Sequence, residues 1–194
     1  CAHSVLLSPQ EMDLYVKHRP TACHCAFGNY AIGQHRLIEM WRRGIAIGLG
    51  TDGAAGWGSM DIFQVAHAAR IGQQAVMGTP VHYRGIMSAE ELLRVATNGG
   101  ARSLGIEDEI GSIEVGKKAD FLLIDRSDME HTPMYDPMFV LATTTVGRDV
   151  RTVVIDGRVV MKDRVFQTVD LDEVKRRLDE RFPKIMERFE AASA

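Results

Sequence analysis

The feature that most constrains the fold is a fully apolar run at residues 45–49 (IAIGL), which is followed directly by the segment GTDG. Continuous apolar runs of this length are typical of parallel strands, whose two faces are both covered. Similar short runs at residues 1–7 and 21–25 each precede a helical pattern. Such strand–loop–helix repeats predict a parallel sheet with helices outside it, either an open α/β sheet or part of a barrel.

Capping residues predict where the helices of this first part begin. Ser8 and Ser88 each stand three residues before a glutamate, which is the spacing of a capping box. The helix that begins after Ser8 is predicted to end near His18, and the helix that begins after Ser88 to run through Ala96. Two further helices are predicted at residues 37–43, before a glycine stop, and at residues 61–76.

The pattern changes after about residue 105, where antiparallel elements replace the strand–helix repeats. Residues 113–124 are predicted to form a strand, a glycine turn and a second strand. Residues 153–160 contain an Asp-Gly pair between apolar runs, the strongest short signal for a hairpin with a tight turn. Residues 170–192 form a charged amphipathic pattern that is predicted to be broken or kinked at Pro183.

Composition narrows the possible partners. The 194 residues are 45% hydrophobic and 25% charged, with a formal net charge of -3, which provides no large basic field for nucleic acid or for an anionic membrane. No apolar run approaches the ~20 residues that cross a bilayer. The three cysteines set no disulfide framework. We therefore expect a cytoplasmic protein with neither nucleic acid nor a membrane as a partner.

The number of strands predicts that part of the sheet lies outside this chain. Only about three strand–helix units are present, whereas a closed (β/α) barrel has eight strands in typically ~250 residues. Three parallel strands leave an unpaired edge on each side. The sequence also opens on strand-like residues without a methionine. We expect the missing structure to come from upstream residues or from a partner chain.

Three polar side chains follow the three predicted parallel strands. His3 and His24 stand at the carboxyl ends of the first two strands, and Asp52 follows the third. In parallel barrels these ends line the active site, and imidazole together with carboxylate suits a divalent metal such as zinc or iron. Taken singly, each has a simpler interpretation: a lone histidine packs in the core, and a turn aspartate caps the next helix. Their coincidence at equivalent positions favours a site.

Other side chains are weaker candidates. Trp57 either walls a substrate pocket or packs on the rim, and Asn29 is either a turn residue or a substrate contact. His18 and His35 are expected to lie on helix surfaces, and His67 is expected to lie within a helix. His82 and His131 are expected to lie in loops without an assigned partner.

Several segments together resemble the C-terminal part of the amidohydrolase superfamily. In chain order they are HCAFGN, GLGTDGAA, ATNGGARSLG and GSIEVGKKAD, preceded by His3 after a strand. They are similar to the branch that contains cytosine, guanine and S-adenosylhomocysteine deaminases and triazine hydrolases. The resemblance covers nearly the whole chain, and the order and spacing of its segments make it specific.

The resemblance implies an α/β fold, a (β/α)₈ barrel of the TIM type with a small antiparallel β-sandwich made from both chain ends. This chain would supply barrel strands six, seven and eight, the C-terminal share of the sandwich and a C-terminal helix. The implied division is a partial barrel with the metal and substrate site, a sandwich portion and the helix, at residues 1–105, 106–169 and 170–194.

The resemblance also implies roles for the candidate residues. Asp52 would contact one divalent ion, zinc or iron, and take the proton of the attacking water. His3 would hydrogen-bond the substrate or the tetrahedral intermediate and, in some members, touch the metal. His24 and Asn29 would line the substrate side, together with Trp57. The implied reaction is hydrolytic deamination of a nucleobase-like heterocycle.

The chain departs from the family pattern at the pocket and in its metal ligands. Ala26 and Gly28 replace a proline and a serine, and Gly56 and Trp57 replace a Ser-Asn pair. No His-x-His pair occurs in the chain, and the family's strand-five histidine and glutamate are absent as well. We therefore expect the 194 residues alone to be inactive, as the C-terminal fragment of a metallo-hydrolase.

The alternative is a naturally truncated or split barrel half that serves as a non-catalytic interaction module. Retention of His3 and Asp52 favours descent from a working enzyme, whereas the missing ligands favour inactivity of this chain alone. Exposed barrel edges predict self-association into a homo-oligomer under either interpretation.

Overall fold

The computed structural model describes residues 1–79, 85 and 87–193. Its α-helices, in chain order, are α1 (Pro9–His18), α2 (Ala26–Ile32), α3 (Leu37–Arg42), α4 (Ala54–Trp57), α5 (Ile62–Val76), α6 (Ala89–Arg94), α7 (Gly100–Leu104), α8 (Pro137–Thr143) and α9 (Leu171–Ser193). A π-helical segment (Val95–Gly99) joins α6 to α7, and two 3-10 turns lie at Met129–His131 and Gly147–Asp149. The strands are β1 (Ala22–His24), β2 (Ile47–Leu49), β3 (Phe121–Ile124), β4 (Val150–Ile155), β5 (Arg158–Lys162) and β6 (Val165–Phe166).

The parallel sheet consists of β1 and β2, with a single bridge in place of the first predicted strand. Ala2 pairs in parallel with Cys23 of β1, but residues 1–7 do not form a strand. The reason is the backbone, since His3, Ser4 and Leu6 have φ values of 67°, 51° and 58°. Left-handed residues interrupt the extended conformation that a strand requires. The predicted strand at residues 1–7 is therefore wrong, although the chain still lies beside β1.

Helices cover this small sheet and form one apolar core. Met12 of α1, Met40 of α3, Ile47 of β2 and Val65 of α5 are all completely buried. Each such side chain contributes roughly 1.5–3 kcal/mol relative to exposure to water. The core thereby fixes β1 and β2 against the helices, and the carboxyl ends of these strands are held in place.

The helix starts follow the predicted capping chemistry. The Ser8 hydroxyl accepts from the Glu11 N–H, and the Glu11 carboxylate accepts from the Ser8 N–H at 2.8 Å. Ser88 and Glu91 form the same reciprocal pair at the start of α6. These contacts satisfy N–H groups that the first helical turn leaves free. Both predicted capping boxes are confirmed.

The helix that begins after Ser88 continues beyond its predicted end. It runs from α6 through the π-helical segment into α7 and ends at Leu104. The π segment lies directly against β2, because a Cβ at Gly48 would be 2.8 Å from the Gly100 Cα and a Cβ at Gly99 would overlap the Ile47 carbonyl oxygen. The absence of side chains on these glycines permits the close approach of the two backbones.

The second sheet is antiparallel and has the order β3-β4-β5-β6. The hairpin between β4 and β5 turns at Asp156 and Gly157, whose φ values of 51° and 73° are those that a type I′ turn requires. This predicted hairpin is confirmed. The predicted strand at residues 113–116 is wrong, because Gly111 and Gly116 have φ values of 93° and 96°, and the segment between them forms turns that precede β3.

The C-terminal helix α9 is continuous over 23 residues. The sequence predicts a break or a kink at Pro183, and the break is wrong, because the helix continues through that residue. Its apolar side chains, among them Leu178 and Phe182, are exposed. Within residues 1–79, 85 and 87–193, no helix has both the length and the apolar character that crossing a bilayer requires.

The close contact between β2 and the π segment predicts opposite effects for two adjacent substitutions. Gly99→Ala should lower the free energy of unfolding by about 1–3 kcal/mol, because the added methyl group must displace backbone. Gly100→Ala, whose Cβ meets nothing within 4 Å, should be neutral or should raise it by about 0.5–1 kcal/mol. Urea unfolding of both variants tests this, and equal effects of the two substitutions would contradict the close contact.

Candidate metal and substrate site

The structure brings His3 and Asp52 together at one edge of the parallel sheet. His24 is the last residue of β1, and Asp52 follows β2 by three positions. The first segment runs beside β1, so that the Nε2 atom of His3 lies 3.9 Å from the Oδ2 atom of Asp52. This separation is too long for a hydrogen bond. The two side chains are 36% and 38% exposed, so they face an open space.

The backbone at Asp52 turns sharply as it leaves β2. Asp52 has a φ of 60°, a left-handed conformation that aspartate tolerates better than most residues. Its Oδ1 atom accepts a hydrogen bond from the Gly53 N–H at 2.8 Å. Gly53 itself is the N-cap of α4, which has no side-chain cap. The second carboxylate oxygen, on the side of His3, is thus left for other contacts.

The side chain of Asn29 contacts both His3 and His24. It is completely buried in the middle of α2. The Nδ2 atom donates to the His3 carbonyl oxygen at 2.8 Å and lies 2.9 Å from the Nδ1 atom of His24. The Oδ1 atom lies 2.9 Å from the Nδ1 atom of His3. One amide therefore contacts both the ring and the backbone of His3 and also the ring of His24.

His24 and His35 form a buried pair of imidazoles. Their ring centroids are 4.0 Å apart with an interplanar angle of 34°, and both side chains are fully buried. Burial lowers the pKa of His24 well below its usual 6.5, and the neighbouring His35 lowers it further. Burial also lowers the pKa of His35 to about 4, while the nearby backbone of His3 opposes that shift. Both rings are therefore neutral at pH 7.

The prediction that His35 lies on a helix surface is wrong. His35 precedes α3 in a loop and is completely buried. Gln73, 38 positions away on α5, donates to the His35 carbonyl oxygen at 2.7 Å. This contact, together with the stacking on His24, holds the loop inside the core. The sequence near His35 contains no signal for either interaction.

Cys25, which follows His24 directly, is a further neighbour of the site. A ligand atom of Cys25 lies within 4.8 Å of ligand atoms of both His3 and Asp52. Burial, followed by the nearby Cys23, raises the pKa of the Cys25 thiol to about 12, so the thiol is protonated at neutral pH when no metal is bound. Gly50 leaves room for the two thiols, since a Cβ there would lie 2.6 Å from the Cys23 sulfur.

The donor set at this edge fits a divalent ion such as zinc. Zinc binds imidazole nitrogen and carboxylate oxygen, and His3 and Asp52 offer these atoms on an accessible face. Two protein ligands are fewer than the three that catalytic zinc sites commonly use, so the remainder must come from residues beyond these two.

The other predicted residues are dispersed. Trp57 lies in α4, but its side chain is outside the described part of the structure, and His82 is outside it altogether. His18 is exposed at the end of α1, and His67 is half-buried in α5. His131 is buried, not a free loop residue, and its Nε2 atom lies 3.5 Å from the Oδ2 atom of Asp149.

Comparison with known sequences gives consistent matches. The sequence profile described as the amidohydrolase family matches residues 1–160. A 5-methylthioadenosine/S-adenosylhomocysteine deaminase of Syntrophus aciditrophicus is 36% identical over 176 residues, with 88% of this chain and 38% of the relative covered. The enzyme of the same name from Acetivibrio thermocellus is 34% identical, with 90% and 40% covered. This chain spans about two fifths of the length of these relatives.

Comparison with solved structures also finds hydrolases that are similar to this chain. A zinc-bound adenosine deaminase from Xanthomonas campestris superimposes with a TM-score of 0.89 and 29% identity, covering 96% of this chain and 42% of that one. A zinc complex of atrazine chlorohydrolase from Arthrobacter aurescens has a TM-score of 0.78 and 25% identity, covering 92% and 39%. Guanine deaminase of E. coli has a TM-score of 0.71 and 28% identity, covering 83% and 38%.

The buried imidazole pair predicts a loss of stability in mild acid. The pKa of His35 is about 4 in the folded chain against 6.5 when unfolded, so the unfolded state binds more protons between these values. Stability is therefore complete above about pH 6.5 and falls as the pH drops towards 4, by up to ~1.4 kcal/mol per pH unit for each histidine. Urea unfolding between pH 7.5 and 4.5 measures this slope.

His35→Phe should keep the stacking on His24 and reduce the slope, because it removes one of the two titrating rings. His18→Gln, which removes an exposed imidazole, is the matched control and should keep the slope of the parent. If His35→Phe leaves the slope unchanged, the neutral buried pair is not its cause.

Proposed function

Because this chain belongs to the amidohydrolase family, we propose that it forms the metal-contacting edge of a hydrolytic deaminase that acts on a nucleobase-like heterocycle. The observation that carries the proposal is the approach of His3 Nε2 to the Asp52 carboxylate, at 3.9 Å, on the exposed edge of the parallel sheet. The relatives in sequence are deaminases by name, and the adenosine deaminase and chlorohydrolase structures contain zinc.

His3 and Asp52 are proposed as the residues of this chain that contact one divalent ion. A bound ion of this kind lowers the pKa of water to about 7 and so supplies hydroxide at neutral pH. The Asp52 carboxylate accepts the proton of the attacking water as a general base. His3 presents its Nε2 atom to the same space, where it would contact the ion or, as an imidazolium, would donate a hydrogen bond to the developing tetrahedral centre.

The overall reaction is the replacement of a ring amino group by oxygen. Water adds at the ring carbon, the carbon–nitrogen bond breaks, and ammonia leaves with the proton that Asp52 first accepted. The relatives named for 5-methylthioadenosine and S-adenosylhomocysteine suggest an aminopurine nucleoside as the substrate. Trp57, in α4 directly after the Asp52 turn, is proposed to contribute to the pocket.

This chain is proposed to supply strands six, seven and eight of a (β/α)₈ barrel, with the rest of the metal site contributed by other strands. Two observations support this. The described parallel sheet has only β1, β2 and one bridge, and the chain covers about two fifths of its relatives. The same proposal divides the chain into a partial barrel at residues 1–105, a sandwich portion at residues 106–169 and a C-terminal helix at residues 170–194. On this basis the 194 residues alone lack activity.

The proposal predicts that the carboxylate of Asp52 is required for activity. In the full-length gene product, Asp52→Asn should lower kcat/KM for ammonia release from 5′-methylthioadenosine by about 10²–10⁴-fold, because it removes a general base. Its melting temperature without metal should change little, since the side chain is partly exposed. Asp13→Asn, which removes an exposed carboxylate paired with Arg43, is the control and should retain activity. Activity of Asp52→Asn within tenfold of the parent would contradict the role.

A further inference from the structure

We propose that Asn29 is a positioning residue that holds a proton on Nδ1 of His3 and thereby leaves Nε2 as the atom available at the reaction centre. The inference rests on the proposed function for its catalytic consequence but not for its structural content. It assigns Asn29 and His24 to the support of His3, in place of the contact with substrate that the family resemblance implies.

The carbonyl group of His3 fixes the orientation of the amide. A carbonyl oxygen can only accept, so the atom that faces it at 2.8 Å must be the Asn29 nitrogen. The Asn29 oxygen then faces the Nδ1 atom of His3 at 2.9 Å. Because that oxygen can only accept, the Nδ1 atom of His3 must carry the proton. The Nε2 atom, on the Asp52 side, is left outside this network.

The same amide fixes the protonation of His24. The second hydrogen of the Asn29 nitrogen points to the Nδ1 atom of His24 at 2.9 Å, so this nitrogen must be an unprotonated acceptor. The side chains of Asn29 and His24 are both 0% exposed, and both amide hydrogens of Asn29 are used. Asn29 therefore has neither an exposed surface nor a free donor for a substrate.

The backbone at His3 explains why such a clamp is needed. His3 and Ser4 both have left-handed φ values, 67° and 51°, a conformation that costs roughly 1–2 kcal/mol per residue. Asn29 is bonded to the carbonyl group and the ring of His3 together, which fixes the strained backbone and the direction of the imidazole at the same time. Supporting contacts of this kind affect metal affinity or activity by about 10–100-fold.

The histidine protonation states are measured on the metal-free full-length gene product with ¹⁵N-labelled histidine, because an ion on Nε2 of His3 would by itself keep the proton on Nδ1. The His3 and His24 signals are assigned by substituting each residue in turn. In the parent, His3 should carry a proton on Nδ1, and His24 should not. Asn29→Ala should remove the Nδ1 proton of His3, and kcat for 5′-methylthioadenosine should fall about 10–100-fold while KM changes less than threefold.

Gln73→Ala is the matched control, because Gln73 is an equally buried amide with three hydrogen bonds, to Ile38 N–H, the Tyr30 hydroxyl and the His35 carbonyl. It should lower the melting temperature as much as Asn29→Ala does and leave the Nδ1 proton of His3 in place. A variant that discriminates further is Asn29→Asp. The carboxylate of this variant still accepts a hydrogen bond from the Nδ1–H of His3, but it cannot donate one to His24. His3 should therefore keep its Nδ1 proton, whereas the ring proton of His24 should move to Nδ1.

Three results would overturn the inference: an unprotonated Nδ1 of His3 in the parent, survival of that proton in Asn29→Ala, or its loss in Gln73→Ala. If Asn29→Ala does not fold, the reversal at His24 in Asn29→Asp decides the matter. The tautomer measurement requires no substrate. A protein that lacks deaminase activity but shows the expected histidine states would therefore contradict the proposed function and support the role of Asn29.

Discussion

The parallel pairing of β1 with β2 is the interaction on which the rest of the candidate site depends. It places the carboxyl ends of both strands at one edge, so that His24 and the turn at Asp52 lie on the same side of the sheet. The helical segment that packs against β2 approaches it closely because Gly48 and Gly99 carry no side chains.

Polar contacts beneath that edge fix the positions of the His3 and His24 side chains. The Asn29 amide joins His3 to His24, and His24 stacks on His35, whose carbonyl is held by Gln73. The column runs from the exposed edge into the apolar core. Buried polar groups specify a structure only when their hydrogen bonds are satisfied. In this network, the polar groups that contact His3 are hydrogen-bonded, and they fix the orientation of its ring.

The sequence predicted those features that depend on neighbouring residues. Capping boxes at Ser8 and Ser88 and the Asp-Gly hairpin have local causes, and the structure contains them. It did not predict the loss of the first strand, the π segment or the burial of His35. These depend on contacts between distant segments, such as Gln73 with His35 across 38 positions, and no local pattern records such a contact. The proximity of His3 to Asp52 was expected from the succession of strand–helix units, although residues 1–7 form only a bridge to β1. The contacts of Asn29 with both histidines were not expected from any such pattern.

Burial differs between the residues that support His3 and the two side chains that face the open edge of the sheet. Asn29 and His24 are completely buried by residues of this chain, so the side chains that support His3 are already shielded from solvent. His3 and Asp52 remain more than one third exposed, where water weakens every electrostatic interaction. Strands that covered this edge would exclude that water and add further ligands. Under the proposed function, this chain would hold the orientation of His3 and Asp52, and the low-dielectric environment that strengthens their interactions would come from strands that cover this edge.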